Sequence, residues 1–182
     1  MSAKATVIAP ANIAFIKYWG LRDEARVLPF NPSLSMTLRS CVTKTTVEHC
    51  DDSGRDEVRW PGPGGALAAA PAPFARRIEE HLDRLRSWAG VGGRFRVATE
   101  NSFPMGAGMA SSASGFAALT LAVVEALGRR ADAGELTTLA RRSGSGSAAR
   151  SVLGGYVLWP AGEGDEEGHA VAVAPAEHWD LR

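Results

Sequence analysis

Hydrophobic and polar positions follow two rhythms along the chain, and each rhythm predicts a kind of element. Residues 6–19 are apolar and β-branched, interrupted by Ala9-Pro10-Ala11-Asn12, which predicts two short strands around a bend. Residues 34–38 (Leu-Ser-Met-Thr-Leu) alternate at period two, as a half-buried strand does. Residues 42–48 (Val-Thr-Lys-Thr-Thr-Val-Glu) form a further run of strong β propensity. Residues 57–60 predict another edge strand, stopped by Pro61-Gly62-Pro63-Gly64-Gly65, and the Ala/Pro stretch 66–73 predicts a loop. Residues 94–98, 156–159 and 169–173 predict the remaining strands.

The second rhythm is helical. Phe74, Ile78, Leu82, Leu85 and Ala89 share one face, with Arg76, Arg77, Glu79, Glu80 and Asp83 on the other, so this helix covers a sheet. Residues 113–127 are apolar nearly all round and predict a buried helix. Asp132 followed by Glu135 is a capping-box pattern opening a helix that runs through Arg142. Residues 148–153 also read as helical. Strands first, with helices then mixed among them, predict an α+β two-layer domain.

Composition narrows this picture. The 182 residues fit one domain. A hydrophobic share of 45% excludes wholesale disorder, and no apolar run reaches membrane-spanning length. Twenty basic and twenty acidic residues cancel, leaving no global field for nucleic acid or an anionic membrane. The basic side is almost all arginine, so Lys4, Lys17 and Lys44 stand out. Cys41 and Cys50 are too few for a disulfide scaffold or a four-cysteine zinc site and predict reduced thiols in a cytoplasmic protein. The four histidines are scattered and read as structural or solvated.

Three segments carry candidate chemistry. In Pro104-Met105-Gly106-Ala107-Gly108-Met109-Ala110-Ser111-Ser112, a small-residue loop runs into the N-terminus of the buried helix. There the backbone can approach an anion and Ser111 and Ser112 can reach phosphate or a metal. It is neither a Walker A loop nor a dinucleotide fingerprint. Ser143-Gly144-Ser145-Gly146-Ser147, followed by Arg150, reads either as a linker or as an anion site whose guanidinium grips a carboxylate or phosphate. Lys17, beside Tyr18 and Trp19 at the end of an apolar strand, is either a snorkelling lysine or a cation meeting a bound anion.

Together these segments resemble the mevalonate diphosphate decarboxylases, within the superfamily of galactokinase, homoserine, mevalonate and phosphomevalonate kinases. The resemblance rests on APANIAFIKYWG (9–20), NPSLSMTL (31–38), NSFPMGAGMASSASGFAAL (101–119) and RSGSGSAARSVLGGYVLW (142–159). It implies the ribosomal protein S5 domain 2-like fold and ATP-dependent decarboxylation of a 5-phosphorylated mevalonate, in which the tertiary 3-hydroxyl is phosphorylated before phosphate and carbon dioxide leave. It further implies that Pro104 and residues 106–112 hold ATP, with Ser111 or Ser112 near magnesium. Ser145, Ser147 and Arg150 would grip the substrate, Arg150 on its carboxylate, with Asn12 ordering that contact. Lys17 would serve phosphoryl transfer, Tyr18 would face the 5-phosphate, and the protein would be a cytoplasmic homodimer.

Two departures bear on substrate and completeness. The family usually carries a second lysine directly after the segment's glycine, where it meets the distal phosphate; here that residue is Leu21, which brings mevalonate 5-phosphate forward as substrate, with Arg22 or Arg26 as substitute cations. The Met105–Gly108 stretch is closer to the general kinase pattern, which leaves a mevalonate 3-kinase or a non-catalytic or split nucleotide-binding lobe as alternatives. Family members are about twice as long and two-lobed, with the aspartate taken to deprotonate the 3-hydroxyl in the C-terminal lobe. The expectation is that 1–182 is an N-terminal lobe, exposing apolar surface where a second lobe would dock. Its own aspartates, Asp56, Asp132 and Asp165 among them, read as turn or surface residues.

Overall fold

The structure, a computed structural model, describes residues 3–62, 65–104 and 111–179. Its frame is a seven-stranded sheet built on two long strands, β1 (Ala3–Ile16) and β4 (Ser33–Cys50), which run antiparallel side by side. Both correct the sequence reading, which divided each into two. The break in β1 is a register shift between Pro10 and Ala11: Pro10 pairs with Val42 and Ala11 with Leu38, so residues 39–41 of β4 have no counterpart and are accommodated as a bulge.

The other edge of β4 is shared. Residues 43–50 pair with β7 (Arg94–Asn101), and residues 33–36 pair with β8 (Tyr156–Trp159), which in turn pairs with β9 (Val171–Ala174). Beyond β7 lie β5 (Glu57–Pro61), in parallel, and β6 (Leu67–Ala69), a short strand inside the stretch expected to be a loop. A small hairpin of β2 (Leu21–Asp23) and β3 (Leu28–Pro29) stands apart and was not legible in the hydrophobic pattern.

Four helices cover one face of the sheet. α1 (Ala72–Ala89) turns Ile78, His81, Leu82 and Leu85 inward and ends at Gly90, whose φ of 64° needs a residue without a Cβ penalty. α2 (Ser111–Ala126) is buried on several sides, as its apolar composition predicted, and crosses β1 and β4. α3 (Ala133–Arg141) opens on Asp132, whose carboxylate accepts from the Glu135 backbone N–H at 2.8 Å; the Glu135 side chain accepts from Trp88 Nε1 instead of reaching back. α4 (Ala148–Val152) packs between α2 and α3.

The core lies between α1, α2 and the β1–β4–β7 part of the sheet, where Val47, Phe95, Leu82, Leu85 and Val123 are fully buried. Each such side chain contributes about 1.5–3 kcal/mol of transfer free energy. At the other end of the sheet Ile13, Phe15, Val173 and Trp179 are exposed, and Phe15, Tyr156 and Trp179 form an aromatic group there. No helix among the described residues is long and apolar enough to cross a membrane.

Candidate functional site

Arg150 is the centre of the site. The short helix α4 points it at the sheet, where only 2% of the residue remains exposed. Its guanidinium donates from Nε to Ser35 Oγ (3.0 Å), from Nη1 to Ser33 Oγ (2.5 Å), and from Nη2 to Asn12 Oδ1 and Ser147 Oγ (both 3.3 Å). Asn12 is fixed in turn, donating from Nδ2 to the Ser147 carbonyl (3.1 Å) and to Ser151 Oγ (2.7 Å). Every acceptor of Arg150 is neutral, and no carboxylate pairs with it among the described residues. Burial accordingly pushes its pKa down to about 10, opposed only by Tyr18. A desolvated cation held by hydroxyls and one amide is oriented, and its charge is left to act on an anion.

A second wall stands beside it. The Tyr18 ring meets Trp159 edge-on at 4.9 Å. Gly146 sits against both: a Cβ there would lie 2.3 Å from the Trp159 ring and 3.2 Å from the Tyr18 hydroxyl. The Ser/Gly stretch is therefore a closely packed turn and not a linker. The 17–19 segment is held by Asn31, which accepts from the Trp19 N–H (3.0 Å) and donates to the carbonyls of Lys17 (3.0 Å) and Pro32 (2.9 Å). Lys17 itself lies just beyond β1 with an exposed side chain, and Ser145 is half-buried.

A third group gathers where α2 begins. A cleft of about 430 Å³ lies there, bounded by Trp60, Phe74 and Phe116 on its apolar side and by Thr99, Asn101 and Ser111 on its polar side. Trp60 and Phe74 contact each other at 4.9 Å, and Arg77 lies 5.2 Å over the Phe116 ring. Ser111 is half-buried and Ser112 exposed in the first turn, where a helix leaves its N–H groups without intrahelical partners and favours an anion. The buried Ser114 hydroxyl is tied to Thr43 (2.7 Å). Pro104 is described and exposed; Gly106, Ala107, Gly108, Met109 and Ala110 lie outside the described residues.

Asn12, Ser147 and Arg150 are thus in direct contact, and Tyr18 joins them through Gly146 and Trp159. Ser33, Ser35, Ser151, Asn31 and Trp159 were missed. The signal for Ser33 and Ser35 was their period-two placement in an otherwise apolar strand. Of the aspartates read as turn or surface residues, Asp56 needs correction, while Asp132 holds the cap position its pattern predicted and Asp165 lies in a turn. Asp56 is nearly buried, accepting from Phe95 N–H and pairing with Arg86. Asp132 caps α3. Asp165 takes one arginine on each carboxylate oxygen, Arg141 and Arg142.

With this geometry in place, comparison with known proteins is decisive. The family described as diphosphomevalonate decarboxylase-like N-terminal domain matches residues 9–170. The chain belongs to that family. Diphosphomevalonate decarboxylase from Candida albicans is 38% identical over 96% of this chain and 51% of its own length; the Homo sapiens protein of that name is 40% identical over 97% and 46%. The crystal structure of mevalonate diphosphate decarboxylase from Staphylococcus aureus superposes with a TM-score of 0.88 at 37% identity, over 96% of this chain and 51% of that one. A further solved relative, in complex with MVAPP, AMPPCP and magnesium, gives a TM-score of 0.86 at 38% identity, over 96% and 51%. The chain therefore spans about half the length of the relatives it matches. The family's fold is the mixed sheet-and-helix arrangement found here.

Proposed function

We propose that the chain is the N-terminal, nucleotide- and substrate-binding lobe of an ATP-dependent decarboxylase acting on a 5-phosphorylated mevalonate to give an isopentenyl product. The observation that carries this reading is Arg150, a buried cation whose partners are all neutral. Such a group suits a substrate carboxylate, because a charge-assisted contact compensates both desolvated charges. Asn12 and Ser147 orient it, and Ser145 lines the same turn. Tyr18 bounds the pocket on the phosphate side, and Lys17 supplies an exposed cation next to it.

The cleft at the start of α2 fits a nucleotide. Its aromatic side suits a base, while the first-turn N–H groups with Ser111 and Ser112 suit phosphate oxygens and magnesium. The bound nucleotide supplies the phosphoryl group and magnesium offsets its charge. The group that deprotonates the 3-hydroxyl is assigned to a C-terminal lobe of the kind the longer relatives have room for. A cytoplasmic homodimer is part of the same reading.

One observation favours the 5-monophosphate over the 5-diphosphate. Leu21 packs half-buried against the Val27–Trp159 cluster. Of the substitute cations, Arg22 donates to the Gly162 carbonyl, and Arg26, exposed, lies 3.7 Å from Asp23. Carbon dioxide release by the full-length protein, C-terminal lobe included, with ATP, magnesium and each of mevalonate, its 5-phosphate and its 5-diphosphate tests both statements; the 182-residue chain alone is expected to be inactive. Release with a phosphorylated mevalonate is expected, with the 5-phosphate at least equal to the diphosphate. No release from any of the three would overturn the decarboxylase reading, and phosphorylated product accumulating without carbon dioxide would replace it with a kinase.

A further inference from the structure

The connection between β8 and β9 has a role that the pocket residues do not account for. Between residues 160 and 170 the chain leaves the sheet and crosses α3 and the β2–β3 hairpin, held at both. Arg22, in β2, donates to the Gly162 carbonyl. Trp159 Nε1 donates to the Gly168 carbonyl at 2.9 Å, and the Ala170 N–H to Thr137 Oγ1 of α3 at 3.1 Å. Gly168 is wedged in place: a Cβ there would lie 2.6 Å from Leu28 and 2.7 Å from the Gly164 carbonyl.

At the centre of this strap is Asp165. One carboxylate oxygen accepts from Arg141 and the other from Arg142. Arg141 is fully buried and also donates from Nη1 to the Arg26 carbonyl in the hairpin at 2.8 Å. These arginines end α3 and open the turn 143–147, which continues by backbone hydrogen bonds from Gly144 to Arg141 and from Ala148 to Ser145. Three residues past that turn comes Arg150. The hairpin, at its other end, follows directly from Tyr18. Asp165 therefore joins the two walls of the pocket, one carrying Gly146, Ser147 and Arg150, the other Tyr18.

We propose that Asp165 is a positioning residue of the substrate pocket: by holding Arg141 and Arg142 against the strap, it sets the Ser143–Ser147 turn against Trp159 and Tyr18. It also compensates the buried guanidinium of Arg141, so that of the two fully buried arginines only Arg150 has charge left for a ligand. Asp165 touches no reacting atom and acts through the turn.

The inference rests on the proposed function, so one of its two tests is independent of any substrate. The chain has only two tyrosines, Tyr18 in the pocket and Tyr156 at the far aromatic group. In protein labelled with 3-fluorotyrosine, Asp165→Asn is expected to shift or broaden the Tyr18 fluorine resonance, assigned through Tyr18→Phe, and to leave Tyr156 in place. Equal perturbation of both, or of neither, overturns the proposal. The second test is steady-state kinetics of the full-length protein, C-terminal lobe included, with ATP and mevalonate 5-phosphate or 5-diphosphate. Asp165→Asn is expected to raise the KM of the phosphorylated mevalonate on the order of tenfold to a hundredfold, leaving that of ATP within about twofold, because the turn and not the α2 cleft is displaced. Parallel rises in both constants, or no rise, would show a strap that serves stability alone. Wild-type full-length protein that turns over neither substrate would count against the function, while the fluorine spectra would still decide the positioning. Should Asp165→Asn fail to fold, Arg142→Gln removes one contact from a half-exposed partner and is expected to give the same pattern at smaller amplitude.

Discussion

Arg141 and Arg150 lie nine residues apart, both almost wholly removed from water, yet they are buried in opposite ways. Arg141 ends α3 with a carboxylate and a carbonyl on its guanidinium, a closed arrangement in which charge meets charge. Arg150 sits among Ser33, Ser35, Asn12 and Ser147, which fix its orientation and leave its charge unanswered. Burial lowers the pKa of both, but at Arg141 Asp165 opposes that effect as a full negative charge, whereas at Arg150 only Tyr18 does. Burial alone thus does not separate a structural arginine from a binding one; the sign and number of its partners do. A cation kept desolvated without a counter-charge costs stability, and the proposed anion at Arg150 would offset that cost.

The largest effect should come from breaking the open member of the pair. Arg150→Gln removes the charge while leaving a group able to donate to the serines. Losing one partner of a desolvated charge pair costs about 2–5 kcal/mol, or some thirtyfold to several thousandfold in kcat/KM. Arg150→Lys restores the charge without the planar fork and should recover only part of that loss. Steady-state kinetics on the phosphorylated mevalonate that releases carbon dioxide would read both, and a loss under threefold in Arg150→Gln would end the assignment of Arg150 to the carboxylate.

The next effect is on stability and runs the other way between the two residues. Arg141→Met breaks a buried ion pair and should destabilise by about 3 kcal/mol, because Asp165 retains Arg142 and some water but loses its buried partner. Arg150→Met removes a desolvated cation that has no counter-charge among the described residues, offset by four neutral acceptors losing their donor, and should cost clearly less. Urea unfolding of the two variants, without ligand, compares them directly. If Arg150→Met proved the more damaging, the contrast between a closed and an open site would not stand.

The contrast also marks how far the sequence could be read. Local pattern placed α1, α2 and the Asp132 cap of α3, since each depends on residues within a few turns of one another. It divided β4 because Arg39-Ser40-Cys41 interrupts the alternation, although β1 pairs with both halves across the bulge. At the site, the residue types were legible and their companions were not. The Ser33 and Ser35 contacts to Arg150 span more than a hundred residues, and nothing in periodicity announces such a pairing. Arg141-Arg142 at a helix C-terminus has the pattern of a solvated end favoured by the helix dipole. Only the long-range fold shows that Asp165 closes over it.

A third buried titratable group completes the series by shedding its charge altogether. His81 lies between α1 and α2, with Nε2 2.8 Å from Thr120 Oγ1. The Thr120 hydroxyl donates to the Phe116 carbonyl, so His81 is the donor in this contact, and its Nδ1 has no hydrogen-bond partner among the described residues. Desolvation, with a smaller contribution from Arg84, lowers its pKa from 6.5 to about 3. The folded protein thus keeps the imidazole neutral where the unfolded chain takes up a proton. Stability from this group is intact above pH 6.5 and lost progressively as the pH falls toward 3. The carboxyls of Asp52 and Glu57 are both held below their ordinary values chiefly by Arg94, so their contribution is lost at lower pH and His81 is read in the interval from about 5 to 6.5. There the unfolding free energy should fall by up to about 1.4 kcal/mol per pH unit, the limit for one proton. In His81→Leu that slope should flatten even if the variant is less stable overall, since no proton uptake remains at this position. Urea midpoints at pH 5 and pH 7 for both proteins give the comparison. An equal slope in the variant would mean that the proton goes elsewhere, and that His81 is not the neutral extreme of the series begun by the two arginines.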